Sequence, residues 1–385
     1  MPRMTTLPPD QISSPSQALP FWLSLGTVPM AFLGMGLGGL WVLALPLYCW
    51  ALFSVLDALT GLNTDNADPD TPEDDLHLYR LLTMIWFPVQ FLTLCFMLWF
   101  VPQAGHLNIL EKVLLFTGMG VMSGTIGINY SHELMHQKSK LERWLGDLLL
   151  ATVLYGHFRT EHLRVHHLYV GTPRDAVTAR YNENFHRFFP RVLRESWISA
   201  FRAEKAMLAR KGLPWTHPSN PFFRYWALQG AMILIALLLG GLAGLVFFLI
   251  QAATAVWQLE LTNYVEHYGL TRRHLGEGKY EHTQPRHSWN ASHRATNWLL
   301  INLQRHSDHH YKPDRRFPLL QTYDTDQAPQ LPYGYPMMNC IALIPPLWRR
   351  MMNPKVRAWR HQFYPDITDW QDYNKGQNPM PVGAP

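Results

Sequence analysis

Six stretches of this chain are too apolar to rest in water, and that limits its fold before any motif is read. They cover residues 21–38, 40–59, 79–101, 109–130, 226–239 and 242–262. A helix needs about 20 predominantly apolar residues to cross the hydrocarbon core of a bilayer, and most of these stretches reach or approach that length. A helix in a soluble core can also be apolar on every side. Six such runs, with two pairs parted by little more than Gly38–Gly39 and Gly240–Gly241, read instead as spanning helices, some in tight hairpins. Lipid supplies no partners for backbone N–H and C=O groups, and a helix satisfies them within itself. The expected fold class is an all-α integral membrane protein of about six transmembrane helices with a cytoplasmic, histidine-rich cap.

The sparse charges, 16% of residues, say which way the chain faces. Lys and Arg crowd residues 138–224 and the segment after the sixth stretch, whereas the connections at 38–39, 102–108 and 240–241 are nearly free of them. By the positive-inside rule the basic side, with both termini, is cytoplasmic, as in a multi-pass protein of a bacterial-type inner membrane. The acidic loop 63–75 carries little weight in that rule. The net charge of +5 therefore reflects orientation and not nucleic-acid binding. The predicted division is an N-terminal tail, 1–20, without a removable signal peptide; a membrane domain, 21–270, that includes a cytoplasmic insertion at 131–225; a cytoplasmic cap, 271–365; and a loose tail, 366–385. Within the insertion, residues 185–212 interleave apolar side chains with Arg and Lys, the pattern of an amphipathic helix lying at the membrane surface. Gly120 and Gly124 have the spacing that lets helix backbones approach closely.

The three cysteines, Cys49, Cys95 and Cys340, offer no disulfide framework or thiolate metal site. The nineteen histidines are the conspicuous feature. Nine of them fall in four groups: His132 and His136; His162, His166 and His167; His267; and His306, His309 and His310. Residues four apart share a helix face, so His132 with His136, and His162 with His166, can each grip one ion, leaving His167 to reach a second. With the predicted topology the fourth and sixth spans both end on the cytoplasmic side, and all nine imidazoles can meet there. Nine nitrogen ligands exceed the four that one tetrahedral zinc takes, so two metals are expected. Iron is the choice that activates O2 against a strong C–H bond. The neighbouring carboxylates Glu133, Glu161, Glu266 and Asp308 are candidates to orient imidazoles through their second nitrogens.

Two patterns compete. His132-Glu133-Leu134-Met135-His136 fits the H-E-x-x-H of zinc proteases, but a membrane protease leaves most of the clustered histidines unused. Glu133–His136 and Glu183–His186 fit the E-x-x-H of carboxylate-bridged di-iron bundles, which is read as coincidence. His77, His106, His157, His217 and His361 stand alone and read as surface or hydrogen-bonded residues. His274, His282, His287 and His293 lie in the cap near the site.

The spacings His132/His136, His162/His166/His167 and His306/His309/His310 resemble the histidine boxes of membrane desaturases and hydroxylases. Asn263-Tyr264-Val265-Glu266-His267-Tyr268-Gly269-Leu270 and Leu303-Gln304-Arg305-His306-Ser307-Asp308-His309-His310 resemble, more selectively, the motifs of the membrane-bound alkane 1-monooxygenase family, and the similarity runs from the first span through Pro346. The resemblance implies a six-helix membrane domain and a non-haem di-iron centre, with no flavin or haem, on all nine clustered histidines as metal-binding and catalytic residues. It implies insertion of one oxygen atom of O2 into the terminal methyl of medium- or long-chain n-alkanes drawn from the bilayer. Electrons in that family come from rubredoxin, reduced by rubredoxin reductase and NAD(P)H; three separated cysteines cannot make a fused rubredoxin's paired motifs. Arg305, Arg315 and Arg316 are the candidates for docking that acidic donor. The competing activities are a xylene-type side-chain hydroxylase and an acyl-lipid desaturase, with a metal transporter more distant.

Overall fold

The computed structural model describes residues 6–378; residues 1–5 and 379–385 of the two predicted tails lie outside the described residues. Five helices are long and apolar enough to cross a membrane: Pro15–Leu37, Gly39–Thr60, Glu73–Gln103, Ile109–His136 and Pro221–His267. Apolar as they are, protein covers them poorly. In the second and the fifth, 22% of the most apolar window is buried, and Leu40, Leu59, Leu238 and Leu242 are 73–85% exposed. Soluble core helices would hide those faces, so the bundle is that of a membrane protein.

The two runs predicted at 226–239 and 242–262 belong to one helical stretch that begins earlier, at Pro221, and is broken at Gly241 (φ 59°, ψ −152°). A Cβ on Gly244 would lie 2.8 Å from the Ala236 carbonyl oxygen. Along an unbroken helix those residues stand about 12 Å apart, so the stretch folds back on itself. The first hairpin turns at Gly38 and Gly39, both with positive φ, a conformation glycine adopts without steric cost. Glu111 secures it from the neighbouring helix: its carboxylate accepts from Gly39 N–H at 2.6 Å and from Asn108 N–H at 2.7 Å. Asn108 in return caps Glu111 N–H, completing a reciprocal helix start.

The fourth helix continues past the expected end near residue 130 to His136, and the last arm of the fifth runs to His267. Hydropathy marks where lipid contact ends; these helices keep going because their polar last turns are buried inside the protein, as Asn129, His132, Asn263 and Glu266 are. The two helices pack very closely. A Cβ on Gly120 would meet the Gln251 carbonyl oxygen at 2.6 Å, and one on Gly124 the Ala255 carbonyl oxygen at 2.6 Å. The expected close approach at this glycine pair is what the structure contains.

The amphipathic segment forms a helix, Phe185–Arg210, whose buried residues Phe185, Phe188, Val192, Ser196, Ala200, Glu204 and Leu208 recur every three or four positions. Its buried Glu204 accepts from the Thr160 hydroxyl at 2.9 Å, so the helix also props the histidine segment that follows Thr160. The region after Gly269 is held to the bundle by Asp57 at the end of the second helix, which accepts from both the backbone N–H (2.8 Å) and the hydroxyl of Thr296. The described parts of both tails, including the segment from residue 366 expected to be loose, make contacts with the rest of the chain. Thr6–Leu7 pairs in parallel with Asn66–Ala67. Asp366 forms two bonds with Arg273, at 2.6 and 2.7 Å, and buried Tyr373 takes the His274 N–H on its hydroxyl.

Replacing Gly120 by Leu is expected to cost about 1–3 kcal/mol through overpacking, seen as a lower unfolding midpoint in detergent. Gly230, with nothing near its missing Cβ, should tolerate the same change. Equal losses at the two sites would refute the close helix contact.

Candidate metal centre

Each of the four histidine groups is delivered by a different device. His132 and His136 ride the last turn of the fourth helix just beyond a π-helical stretch, Ser123–Ile128. His162–His166 is itself a π-helix. His267 ends the fifth helix, and His306–Tyr311 is a short helix of its own. All nine imidazoles converge, in two adjoining sets: His132, His136, His162, His167 and His309 form one, and His166, His267, His306 and His310 the other.

The partition differs from the expected one at a single point. His162 and His166 were expected to share an ion, with His167 turned to the other. In a π-helix the bonding reaches five residues on instead of four, so His162 and His167 point together, their Nε2 atoms 2.9 Å apart. His166 turns the other way and meets His310 at 3.2 Å. The four-residue pair His132/His136 stays in one set, as expected.

Within the larger set, Nε2 of His132 lies 2.9 Å from that of His309, and Nε2 of His162 lies 3.1 and 3.4 Å from those of His136 and His309. In the smaller set His267–His306 is 3.1 Å and His306–His310 is 3.0 Å. Imidazole nitrogens about 2.0–2.1 Å from one ion, at angles of about 90–110°, sit about 2.8–3.4 Å from one another. Unmetallated, the same packing crowds lone pairs. His162 brings one Nε2 to three other imidazoles at once, and one nitrogen has one N–H or one lone pair to offer. Burial pushes the pKa of His162, His167, His306, His309 and His310 far below the usual imidazole value, and the imidazoles around them push the same way. Neutral imidazole is the ligand form. The donor set therefore fits two cations.

The surrounding carboxylates complete the fit. His166 Nδ1 is 3.0 Å from Asp175 Oδ2, which Thr178 Oγ1 also contacts at 2.6 Å. This is the arrangement that fixes the tautomer of a metal-ligating histidine. Glu266 lies 3.4 Å from His306 Nδ1. Glu161 is buried with no hydrogen-bond partner on either oxygen; burial, then Asp175 and Glu260 beside it, raises its carboxyl well above the usual range. A carboxylate left so is costly unless a cation stands near. The other two proposed orienting groups turn elsewhere. Glu133 accepts from Gln137 Nε2 at 2.9 Å, and Asp308 binds Arg315, Tyr323 and the Gln321 N–H. Asp175 was missed because nothing in Thr172-Pro173-Arg174-Asp175 has metal-site spacing.

The three arginines expected at a docking surface all have partners within the chain. Arg305 is 4% exposed, its guanidinium given to the carbonyls of Leu320 and Asp65. Arg316 is buried against Glu142. Arg315 is committed to Asp308. Their bonds to loop carbonyls and carboxylates make them braces of the cap, not a free basic face.

Both competing patterns are used otherwise. His132 and His136 share their set with three more histidines, and Glu133 faces Gln137. Glu183 pairs with Arg191, while His186 contacts the Leu343 carbonyl. Isolated His106 and the cap histidines His274 and His287 stay outside both sets: His106 contacts the Met35 carbonyl, His287 bonds with Tyr364 and His274 with the Gly278 N–H. A cavity adjoins the centre, bounded by His132 and His162 of one set and His306 of the other, with Trp50, Ile128, Phe158, Leu259, Leu300 and Leu303.

Helices that carry nine imidazoles to two adjoining points beside a largely apolar cavity define a histidine-rich membrane metalloenzyme. Residues 107–342 match the fatty acid desaturase family. The chain is 39% identical to alkane 1-monooxygenase 2 of Pseudomonas aeruginosa, covering 92% of each chain, and 38% identical to alkane 1-monooxygenase 2 of Alcanivorax borkumensis, covering 89% of this chain and 90% of that one. The hydroxylase component of a Pseudomonas putida xylene/toluene monooxygenase is similar at 32% identity over 63% of this chain and 64% of its own. The chain belongs to the alkane 1-monooxygenase family, whose members are oxidoreductases.

Asp175→Ala should weaken metal retention by about 10–100-fold through loss of the His166 anchor. Chelator competition on the purified protein measures it, and unchanged retention would show that Asp175 orients nothing.

Proposed function

We propose that the protein hydroxylates the terminal methyl of medium- or long-chain n-alkanes, by R–CH3 + O2 + 2e− + 2H+ → R–CH2OH + H2O. The observation that carries this reading is one cavity touching both histidine sets, through His132 and His162 on one side and His306 on the other. Two irons are the metals that suit it, one held by the five-histidine set and one by the four. An all-imidazole donor set accepts several first-row metals, and a redox-inert ion such as zinc cannot serve an oxidation. When bound, the iron pair supplies the redox chemistry by which O2 is reduced and a C–H bond oxidised.

The residues of the chain do the rest. A hydrocarbon has no polar handle, so its binding rests on apolar contact, at about 25 cal/mol per Å2 buried. Ile128, Phe158, Leu259, Leu300 and Leu303 offer that contact, and Cys49 and Trp50 also line the cavity. The cavity presents the chain end to the imidazole sets, while Asp175 holds the His166 ring. A separate rubredoxin, recharged by its reductase and NAD(P)H, is the electron source in this reading.

In this reading the fold-back at Gly241 divides the fifth helix into two crossings, for a total of six. With an even number, the basic insertion 131–225, the cap 271–365 and both termini share the cytoplasmic side of an inner membrane. His136 and His267, each at the end of its helix, then reach the same face.

Purified protein supplied with rubredoxin, its reductase and NADH should turn an n-alkane into the 1-alkanol, with one atom of labelled O2 in the product. Elemental analysis should return about two irons per chain, falling to about one in His267→Ala, which strips a ligand from the smaller set alone. An unsaturated acyl product with no alkanol, or turnover of toluene without alkane, would replace the proposal with the desaturase or the side-chain hydroxylase.

A further inference from the structure

A second cleft shares no residue with the cavity at the metal centre. Three elements wall it: the segment of the second histidine group through Thr160 and Arg164, the amphipathic helix through Glu204, and the start of the fifth helix through Arg224 and Tyr225. With Arg159, three arginines line it against the one carboxylate of Glu204. Arg159 and Arg224 share Asp147, at 2.7 and 3.0 Å. Glu204 accepts from the Thr160 hydroxyl, whose oxygen lies 3.1 Å from that of Tyr225. Arg164 is exposed and has no carboxylate partner among the described residues. Three guanidinium charges therefore meet two carboxylates, and one positive charge is left over.

The surroundings place the cleft where a bilayer meets water. Its third wall is the beginning of a spanning helix, Pro221–His267, on which Trp226 is exposed two residues beyond Arg224. Trp144, whose ring centre is 5.3 Å from the Arg224 guanidinium, and Trp215 are exposed as well. Tryptophans open to the outside at the end of a spanning helix mark headgroup depth. Farther along the same helix Leu234 and Leu238 are exposed, at the level where acyl chains lie.

We infer that this cleft binds the phosphodiester of one anionic phospholipid of the phosphatidylglycerol kind, with Arg164 and Arg224 as its cations. Guanidinium groups match phosphate oxygens with paired N–H donors. One phosphodiester carries one negative charge, which equals the surplus in the cleft. Free phosphate presents the same oxygens but has no use for the exposed tryptophans and leucines beside them, so the lipid is the occupant. Basic pockets at the ends of spanning helices hold headgroups in this way. The bound lipid ties three elements to the bilayer at once, and one of them carries His162 and His166.

Native mass spectrometry of the full chain in neutral detergent, titrated with phosphatidylglycerol or with phosphatidylcholine, tests the site. One phosphatidylglycerol should be held about tenfold more tightly than phosphatidylcholine. Arg164→Glu, and independently Arg224→Gln, should each reduce that preference about five- to tenfold, whereas Arg164→Lys should keep it. Arg202→Glu reverses an exposed cation of the amphipathic helix outside the cleft and should leave the preference at the wild-type level. Equal retention of the two lipids by the wild type overturns the site, as does an unchanged preference in Arg164→Glu and Arg224→Gln or an equal loss in Arg202→Glu. Displacement of the lipid by an equal concentration of inorganic phosphate overturns it too, since the cleft would then be a site for the free anion.

Discussion

The requirement that organises this molecule is the bringing of nine neutral imidazole nitrogens to two points a few ångströms apart, at the edge of an apolar bundle. The Nε2 of His162 meets three other imidazole nitrogens at 2.9–3.4 Å, more than its one N–H or lone pair can serve without a cation between them. No single helix can supply such a set. A straight α-helix presents one residue per turn to a point, and that turn here gives the pair His132 and His136. The remaining ligands come from the π-helical segment after Glu161, the end of the fifth helix and the short helix at His306, and each must be held while the others arrive.

Much of the rest of the fold is that holding. Gly120 and Gly124 let the fourth and fifth helices come within backbone contact, so that His132 and His267, at their ends, face one centre. Glu204 on the amphipathic helix anchors Thr160, just before the second histidine group. Arg305 gives its guanidinium to loop carbonyls one residue before His306, and Asp308 binds Arg315 and Tyr323 between His306 and His309. Buried polar networks of this kind hold position well only when satisfied throughout. That explains why charged residues adjacent to the ligands serve the scaffold more often than the metals.

The same distinction marks what the sequence made legible. Apolar length disclosed the spanning helices, since lipid acts on every residue of a span, and histidine spacing disclosed the nine imidazoles that converge. The ends of the fourth and fifth helices escaped, because hydropathy stops where lipid stops while the helices continue into a buried polar centre. The division of His162, His166 and His167 between the two sets escaped because a π-turn changes which residues align and leaves no mark in composition. Arg305, Arg315 and Arg316 read as a basic surface by number and position, yet burial and partners, which only the folded chain fixes, make two of them internal. Asp175 lies nine residues beyond His166, and a loop must fold back to join them.

Electrostatics connects the centre to its surroundings. Two dications among neutral imidazoles would leave a large positive charge in a medium that solvates it badly. Glu161, Asp175, Glu260 and Glu266 are all buried, with Asp175 and Glu266 beside ring nitrogens of the smaller set. Burial and the neighbouring carboxylates Asp175 and Glu260 hold Glu161 toward its protonated form in the absence of cations; beside cations the preference reverses. The unpartnered oxygens of Glu161 therefore argue for the metals from the opposite direction to the crowded nitrogens. One set of groups has surplus lone pairs and the other surplus negative charge, and a cation in each histidine set resolves both.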